Sequence, residues 1–172
     1  FYDKNRTIDI TTSVTGTFTT EGWSVYKYTN MRSDGQPGSN TTFPDTDFLM
    51  FRLADVYLMY AEAVARGGQG GSMATAVQYI NALRQRAYGD TFHGINEAWL
   101  RENNFRNILD ERQRELYWEG TRRTDLIRYG LFTSGNYLWT FKGGVLGGVG
   151  VNGRYNVFPI PTTDMSVNGN LK

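Results

Sequence analysis

The stretch Phe48-Leu-Met-Phe-Arg-Leu-Ala-Asp-Val-Tyr-Leu-Met-Tyr-Ala-Glu-Ala-Val-Ala-Arg-Gly-Gly68 decides the fold. Leu49, Leu53, Val56, Tyr57, Tyr60, Ala63 and Val64 recur at intervals of three and four, the spacing of one helical face. Ala54, Leu58, Ala61 and Ala65 fill most of the remaining circumference, which predicts a helix that is mostly buried. Arg66-Gly67-Gly68 ends it: arginine suits the negative end of the helix dipole and glycine the left-handed cap.

Moving outward, the Gly67-Gly-Gln-Gly-Gly71 link leads to Ser72, an N-cap for a second helix with Ala76, Val77, Ile80, Leu83 and Ala87 on one face. Two helices joined by so short a link form an antiparallel hairpin. The spacing is similar to one tetratricopeptide unit with a longer helix and link, but such units need about three copies to cover their apolar faces. Only one hairpin is recognisable, so the first helix calls for partners this chain does not supply. Downstream, a short helix is predicted around Ile95 to Leu100, then a long one capped by Asn103 or Asn104 with Phe105, Ile108, Leu109, Arg112 and Leu116 on one side. The turn Glu119-Gly120-Thr121 leads to a further short helix, Arg122 to Arg128, ended by Gly130. No helix is predicted after 132. The expected organisation is a polar, extended or looped segment (1–47), a helical part (48–130) and a C-terminal loop region (131–172), together a mostly α chain with long loops and a few short strands.

Composition narrows the function. With 172 residues, 40 % hydrophobic and 20 % charged, the chain has enough apolar material for a core. Its 18 Lys+Arg against 17 Asp+Glu leave +1, without the concentrated positive field that nucleic acid selects. The absence of cysteine removes disulfides, a thiolate nucleophile, a cysteine zinc site and lipid attachment from this stretch. No targeting peptide is recognisable near Phe1. With 10 Phe, 11 Tyr, 4 Trp and a single His, the chain reads as a binder more readily than as an acid–base enzyme.

The densest chemistry is charged. Arg52, Asp55 and Glu62 form a stripe on the first helix, facing the arginines and carboxylates of Asp110-Glu-Arg-Gln-Arg-Glu115, Glu119, Arg122, Arg123, Asp125 and Arg128. Arginine forks match carboxylates two bonds at a time, so the pattern predicts an inter-helix ion network. An acid–base pair of the glycosidase kind is the rival, but arginine close to every carboxylate lowers its pKa and removes the proton an acid catalyst needs. The glycines of 143–153 lack the Gly-Lys-Ser/Thr and strand-to-helix frame of a phosphate loop and predict an irregular surface loop. His93 has no second histidine for a metal pair and reads as a hydrogen-bonding loop residue. No catalytic residue, metal site or cofactor is expected.

The aromatics carry the remaining possibility, because flat rings stack on the apolar faces of sugars. Trp23, Tyr26 and Tyr28 alternate along one stretch, and Tyr137, Trp139 and Phe141 along another, as on one face of a strand. Each triplet also fits a packed sheet or loop core. Trp99 and Trp118 lie in helical segments and are expected in the core.

Phe51-Arg-Leu-Ala-Asp-Val-Tyr-Leu-Met-Tyr-Ala-Glu-Ala63, Ile80-Asn-Ala-Leu-Arg-Gln-Arg-Ala87, Ile108-Leu-Asp-Glu-Arg-Gln-Arg-Glu-Leu116 with Glu119-Gly-Thr-Arg-Arg-Thr-Asp-Leu-Ile-Arg128, and Phe158-Pro-Ile-Pro161 resemble, in order, the C-terminal half of the SusD/RagB family. The resemblance runs from about Gly22 to the Asn168-x-Asn-Leu-Lys172 tail. It implies a mostly helical fold whose other tetratricopeptide-like hairpins lie in an N-terminal half. It also implies a non-enzymatic lipoprotein on the bacterial outer membrane, anchored by a lipid outside this stretch, that caps a SusC-like TonB-dependent transporter and binds oligosaccharides or, in some members, peptides. Trp23, Tyr26, Tyr137 and Trp139 are the candidate ligand contacts in this chain, although family glycan sites draw substantially on the other half. A tetratricopeptide-like scaffold that mainly docks to the transporter is the alternative.

Overall fold

The computed structural model describes Gly22, Val25 and residues 27–171. The chain divides into two compact units: the described part of the first lies within Val25–Arg122, and that of the second comprises Gly22 and residues within Arg123–Lys172.

The first unit is built on an antiparallel hairpin of α1 (Leu53–Ala65) and α2 (Met73–Tyr88). Both ends of the link match the sequence reading. Arg66 closes α1, Gly67 takes φ +93, and the Ser72 hydroxyl accepts from the Thr75 amide at the start of α2. Alanines at 54, 61, 65 and 76 let the helices approach closely, and Tyr79 of α2 stacks on Tyr57 with ring centroids 4.1 Å apart and meets Tyr60 edge-on at 5.1 Å. The link is drawn tight where the Ser72 amide donates to the Tyr60 hydroxyl. A Cβ at Gly71 would sit 2.5 Å from Val64 Cγ2, so only glycine passes there.

α3 (Glu97–Arg101), capped by Asn96, and α4 (Arg106–Glu115) close the core from the other side. Leu58, Ile80, Leu100 and Ile108 are fully enclosed. Each contributes about 1.5–3 kcal/mol through removal of its side chain from water. The expected capping of α4 by Asn103 or Asn104 is corrected. Asn103, Asn104 and Phe105 all take left-handed φ (52°, 54° and 64°), and neither asparagine caps the helix. Asparagine tolerates that region because its short polar side chain bonds locally. Here Asn103 donates to Asn107, which in turn donates to the Trp99 carbonyl. Phe105 is held there by packing on the core and by the Arg66 guanidinium 4.6 Å over its ring.

The first helix is less buried than its periodicity predicts. Ala54, Leu58, Ala61, Val64 and Ala65 face the core, whereas Leu53, Val56 and Met59 remain exposed. The residues read as fillers of the circumference are the packed ones, because their small size suits the hairpin contact. Trp118 is also corrected: at φ 63° in the turn after α4 it is 61 % exposed, and only Trp99 packs against the core.

The second unit follows the start of α5 (Arg122–Arg128), whose carboxyl end is closed by Gly130 at φ 68° and by bonds from the Leu131 and Phe132 amides to the Leu126 carbonyl. Residues 131–151 then form a folded-back loop, pinned by Val151 N to Thr133 O and Val149 N to Lys142 O. The expectation of no helix after 132 is overturned by α6 (Thr162–Val167), which begins after Pro161 with Asp164 in its first turn. Six residues carrying only Met165 and Val167 give no readable apolar period. The alternation at Tyr137, Trp139 and Phe141 does not form a strand. Phe141 is at φ 66° and leads into a 3-10 turn, and the described residues contain only an isolated bridge, Met31 to Pro37.

Candidate functional site

In the second unit the turn chemistry of 131–151 gathers rings that a strand would have spaced along one face. Trp139 lies 6.3 Å from Tyr137, tilted by 58°, and 6.2 Å from Phe132 in a near-parallel stack. Trp139 is 38 % exposed and Tyr137 half-buried, so part of this cluster faces solvent. Two of the four candidate contacts are thus brought together. Trp23 and Tyr26 lie outside the described residues.

Lys142 and Phe132 complete the cluster, and sequence reading singled out neither for it. Lys142 is 2 % exposed, and its ammonium donates to the carbonyls of Leu131 (3.2 Å), Ser134 (2.5 Å) and Tyr137 (2.6 Å). It also sits 4.5 Å over the Trp139 ring. Burial pushes this ammonium below the ordinary lysine range. The only sequence signal was a single lysine closing an aromatic alternation, indistinguishable from a solvated charge. Below the rings, Arg123 lies 5.1 Å over Phe132 and 4.0 Å over Phe158 while donating to the Tyr155 carbonyl. A half-open aromatic surface held by satisfied cations can stack on a planar or apolar face.

The charged stripe of the first unit is an ion network, as its spacing predicts. Arg52 forks between Glu115 and Glu119, and also donates to the Glu115 carbonyl at 2.6 Å. Arg86 reaches Glu115 at 2.5 Å, Lys27 pairs with Glu119, and Arg112 bonds Asp55 at 2.8 Å. Glu111, nearly buried, accepts from both Arg84 and Arg114, while Glu62 is paired with Arg66. Burial pushes the Glu115 carboxyl up, but hydrogen bonds from Arg86 and Arg52 outweigh it and hold the group below the usual carboxylate range. Arg52 and Lys27 do the same for Glu119 against its burial. Glu115 and Glu119 therefore stay ionised, the state of structural ion pairs.

A cleft of about 740 Å3 opens beside this network, lined among others by Tyr28, Leu49, Arg86 and Tyr117. His93 is a loop hydrogen-bonder, 2.9 Å from Asp90 and stacked on Tyr88, and its bond holds the Asp90 carboxyl below the usual range. Among the described residues no three His, Cys, Asp or Glu side chains are grouped to hold a metal ion, and no helix is long and apolar enough to cross a membrane.

A helical hairpin stapled by arginine–carboxylate pairs, followed by an aromatic loop unit, makes this a mostly α-helical protein. Comparison with known proteins places it more narrowly. The profile of the SusD family matches residues 9–172, and the chain belongs to that family. It is 45 % identical over 152 residues to the starch-binding protein SusD of Bacteroides thetaiotaomicron, an alignment covering 88 % of this chain and 25 % of that protein. Two SusD-like proteins of Formosa agariphila, P25 and P2, are 38 % and 36 % identical over 61 % and 56 % of this chain. The chain spans about a quarter or less of the length of these relatives.

Proposed function

We propose that this chain is part of a non-enzymatic glycan-capturing protein, and that Tyr137 and Trp139 contribute ring surface to the ligand, joined by Trp23 and Tyr26. The observation that carries the reading is the 45 % identity, over most of the chain, to a relative named for starch binding. The half-open Trp139 cluster supports it, since stacking on sugar faces needs rings that are both fixed and accessible. The ionised state of Glu115 and Glu119 supports capture without turnover. In this reading the whole protein sits on the outer-membrane surface through a lipid anchor outside this stretch and passes oligosaccharide to a SusC-like TonB-dependent transporter.

Affinity electrophoresis of the full-length protein in soluble starch, then across a glycan panel, tests the proposal. Retardation by at least one glycan, without release of reducing ends, is expected. Binding to peptides and to no glycan would overturn it.

One observation favours a second reading, a tetratricopeptide-like scaffold that chiefly grips the transporter: Met50, Phe51, Leu53, Val56 and Met59 form an exposed apolar run. That reading predicts capture of a barrel partner while Trp23 and Trp139 stay closed to a quencher.

A further inference from the structure

We propose that Lys142 is the positioning residue of the aromatic loop: its buried ammonium acts as an internal cation around which residues 131–139 fold, and so sets where Tyr137 and Trp139 stand. The inference deepens the glycan reading above and rests on it only where ligand affinity is concerned.

The geometry is that of a filled cation cage. An ammonium has three protons to donate and no acceptor capacity. Here three backbone carbonyls, from Leu131, Ser134 and Tyr137, take them. These carbonyls lie on successive turns of one loop that, among the described residues, has no sheet partners to satisfy them. Buried carbonyls must find donors, so this one side chain does what a ladder of amides does elsewhere. The fourth face of the ammonium is covered by the Trp139 ring at 4.5 Å, an attractive contact that strengthens where water is excluded.

The same residue is held from its backbone. Its amide donates to the Trp139 carbonyl at 3.0 Å, and its carbonyl accepts from Val149 at 3.0 Å. A Cβ on Gly143 would come within 2.6 Å of Val149, so the returning segment of the loop lies directly against the residue after Lys142. Among the described residues no carboxylate bonds Lys142, which separates it from the arginine pairs of the first unit. The charge is stabilised by oriented carbonyl dipoles and by the face of the Trp139 ring. Loss of the amino group leaves three carbonyls without this donor and releases the Tyr137 carbonyl and the Trp139 ring together.

The test uses the full-length protein labelled with 5-fluorotryptophan, with the Trp139 fluorine resonance assigned through Trp139→Phe. In Lys142→Met, which keeps the aliphatic stem, the Trp139 resonance is expected to move and its response to a soluble quencher to rise. Glycan affinity should fall at least tenfold while helical circular dichroism is unchanged. Lys142→Ala should recover the parent resonance on adding methylammonium, which a bystander lysine would not show. Should neither variant fold, nitrogen-15 lysine spectra of the unaltered protein decide: the Lys142 ammonium protons should exchange far more slowly than those of Lys27. A Trp139 resonance unmoved in Lys142→Met, or Lys142 protons exchanging as fast as surface ones, would overturn the proposal. Failure of the glycan reading shows separately, as unchanged affinity in Trp139→Ala while the resonance still moves in Lys142→Met.

Discussion

Asp55 and Asp110 are two aspartates on neighbouring helices with opposite consequences. Asp55 meets Arg112 at 2.8 Å with side chains 16 % and 7 % exposed, whereas Asp110 lies 3.8 Å from Arg122 and is half exposed. Removing one partner of a buried pair leaves an uncompensated charge, so Asp55→Ala should cost about 3 kcal/mol. Asp110→Ala should cost under about 1 kcal/mol. Urea unfolding of both variants checks the contrast, and equal losses would contradict it. At this scale the sequence was legible where charge density decided the outcome, because Arg52 and Asp55 on a largely apolar helix need partners, and the arginines and carboxylates of α4 and its following turn supply them. It was illegible at Trp118 and Lys142. Each has a burial opposite to its type, set by a left-handed turn in one case and a carbonyl cage in the other. Tyr137 and Trp139 are neighbours as their alternation suggested, but through turns instead of a strand.

Helices were read well where caps mark their ends. Ser72, Gly67 and Gly130 stand where the structure uses them, and Ser72→Ala should lower stability by about 1 kcal/mol, measured by thermal unfolding. The start of α4 was misread because Asn103 and Asn104 serve a left-handed kink, for which asparagine is as well suited as for a cap. α6 was missed because six residues hold no full apolar period. Between elements, Glu115 and Glu119 tie α4 and its following turn to Arg52 at the start of α1. Their folded carboxyls lie below the ordinary value near 4.3. The stability they contribute is therefore complete above that value and is lost as pH falls through the folded pKa. A Glu115→Gln, Glu119→Gln double variant should be less stable than the parent at pH 7, and its urea midpoint should decline less between pH 5 and 3. Parallel curves for the two proteins would contradict the assignment.

At the scale of the molecule, the hairpin leaves Met50, Phe51, Leu53, Val56 and Met59 open to solvent, and Phe51 is 79 % exposed. Contiguous apolar surface of this kind favours association. The 172-residue chain on its own should bind a hydrophobic dye and self-associate, and Leu53→Lys with Met59→Lys should reduce both by size-exclusion chromatography. Membership of the SusD family was legible from four ordered motifs, yet those motifs lie in the hairpin, the ion network and the arginine–aromatic packing, so they reveal the fold more than the site. The proposed site rests on how a glycine-rich loop closes around one lysine, and no periodic pattern encodes that. The central claim, capture of glycan with ring surface from this loop, meets its most direct test in calorimetric titration of the full-length protein and its Trp139→Ala variant with a starch oligosaccharide. Binding by the parent and a loss of at least tenfold in the variant, about 1.4 kcal/mol, is the predicted result. No glycan binding by the parent, or equal affinity in the two proteins, would contradict it.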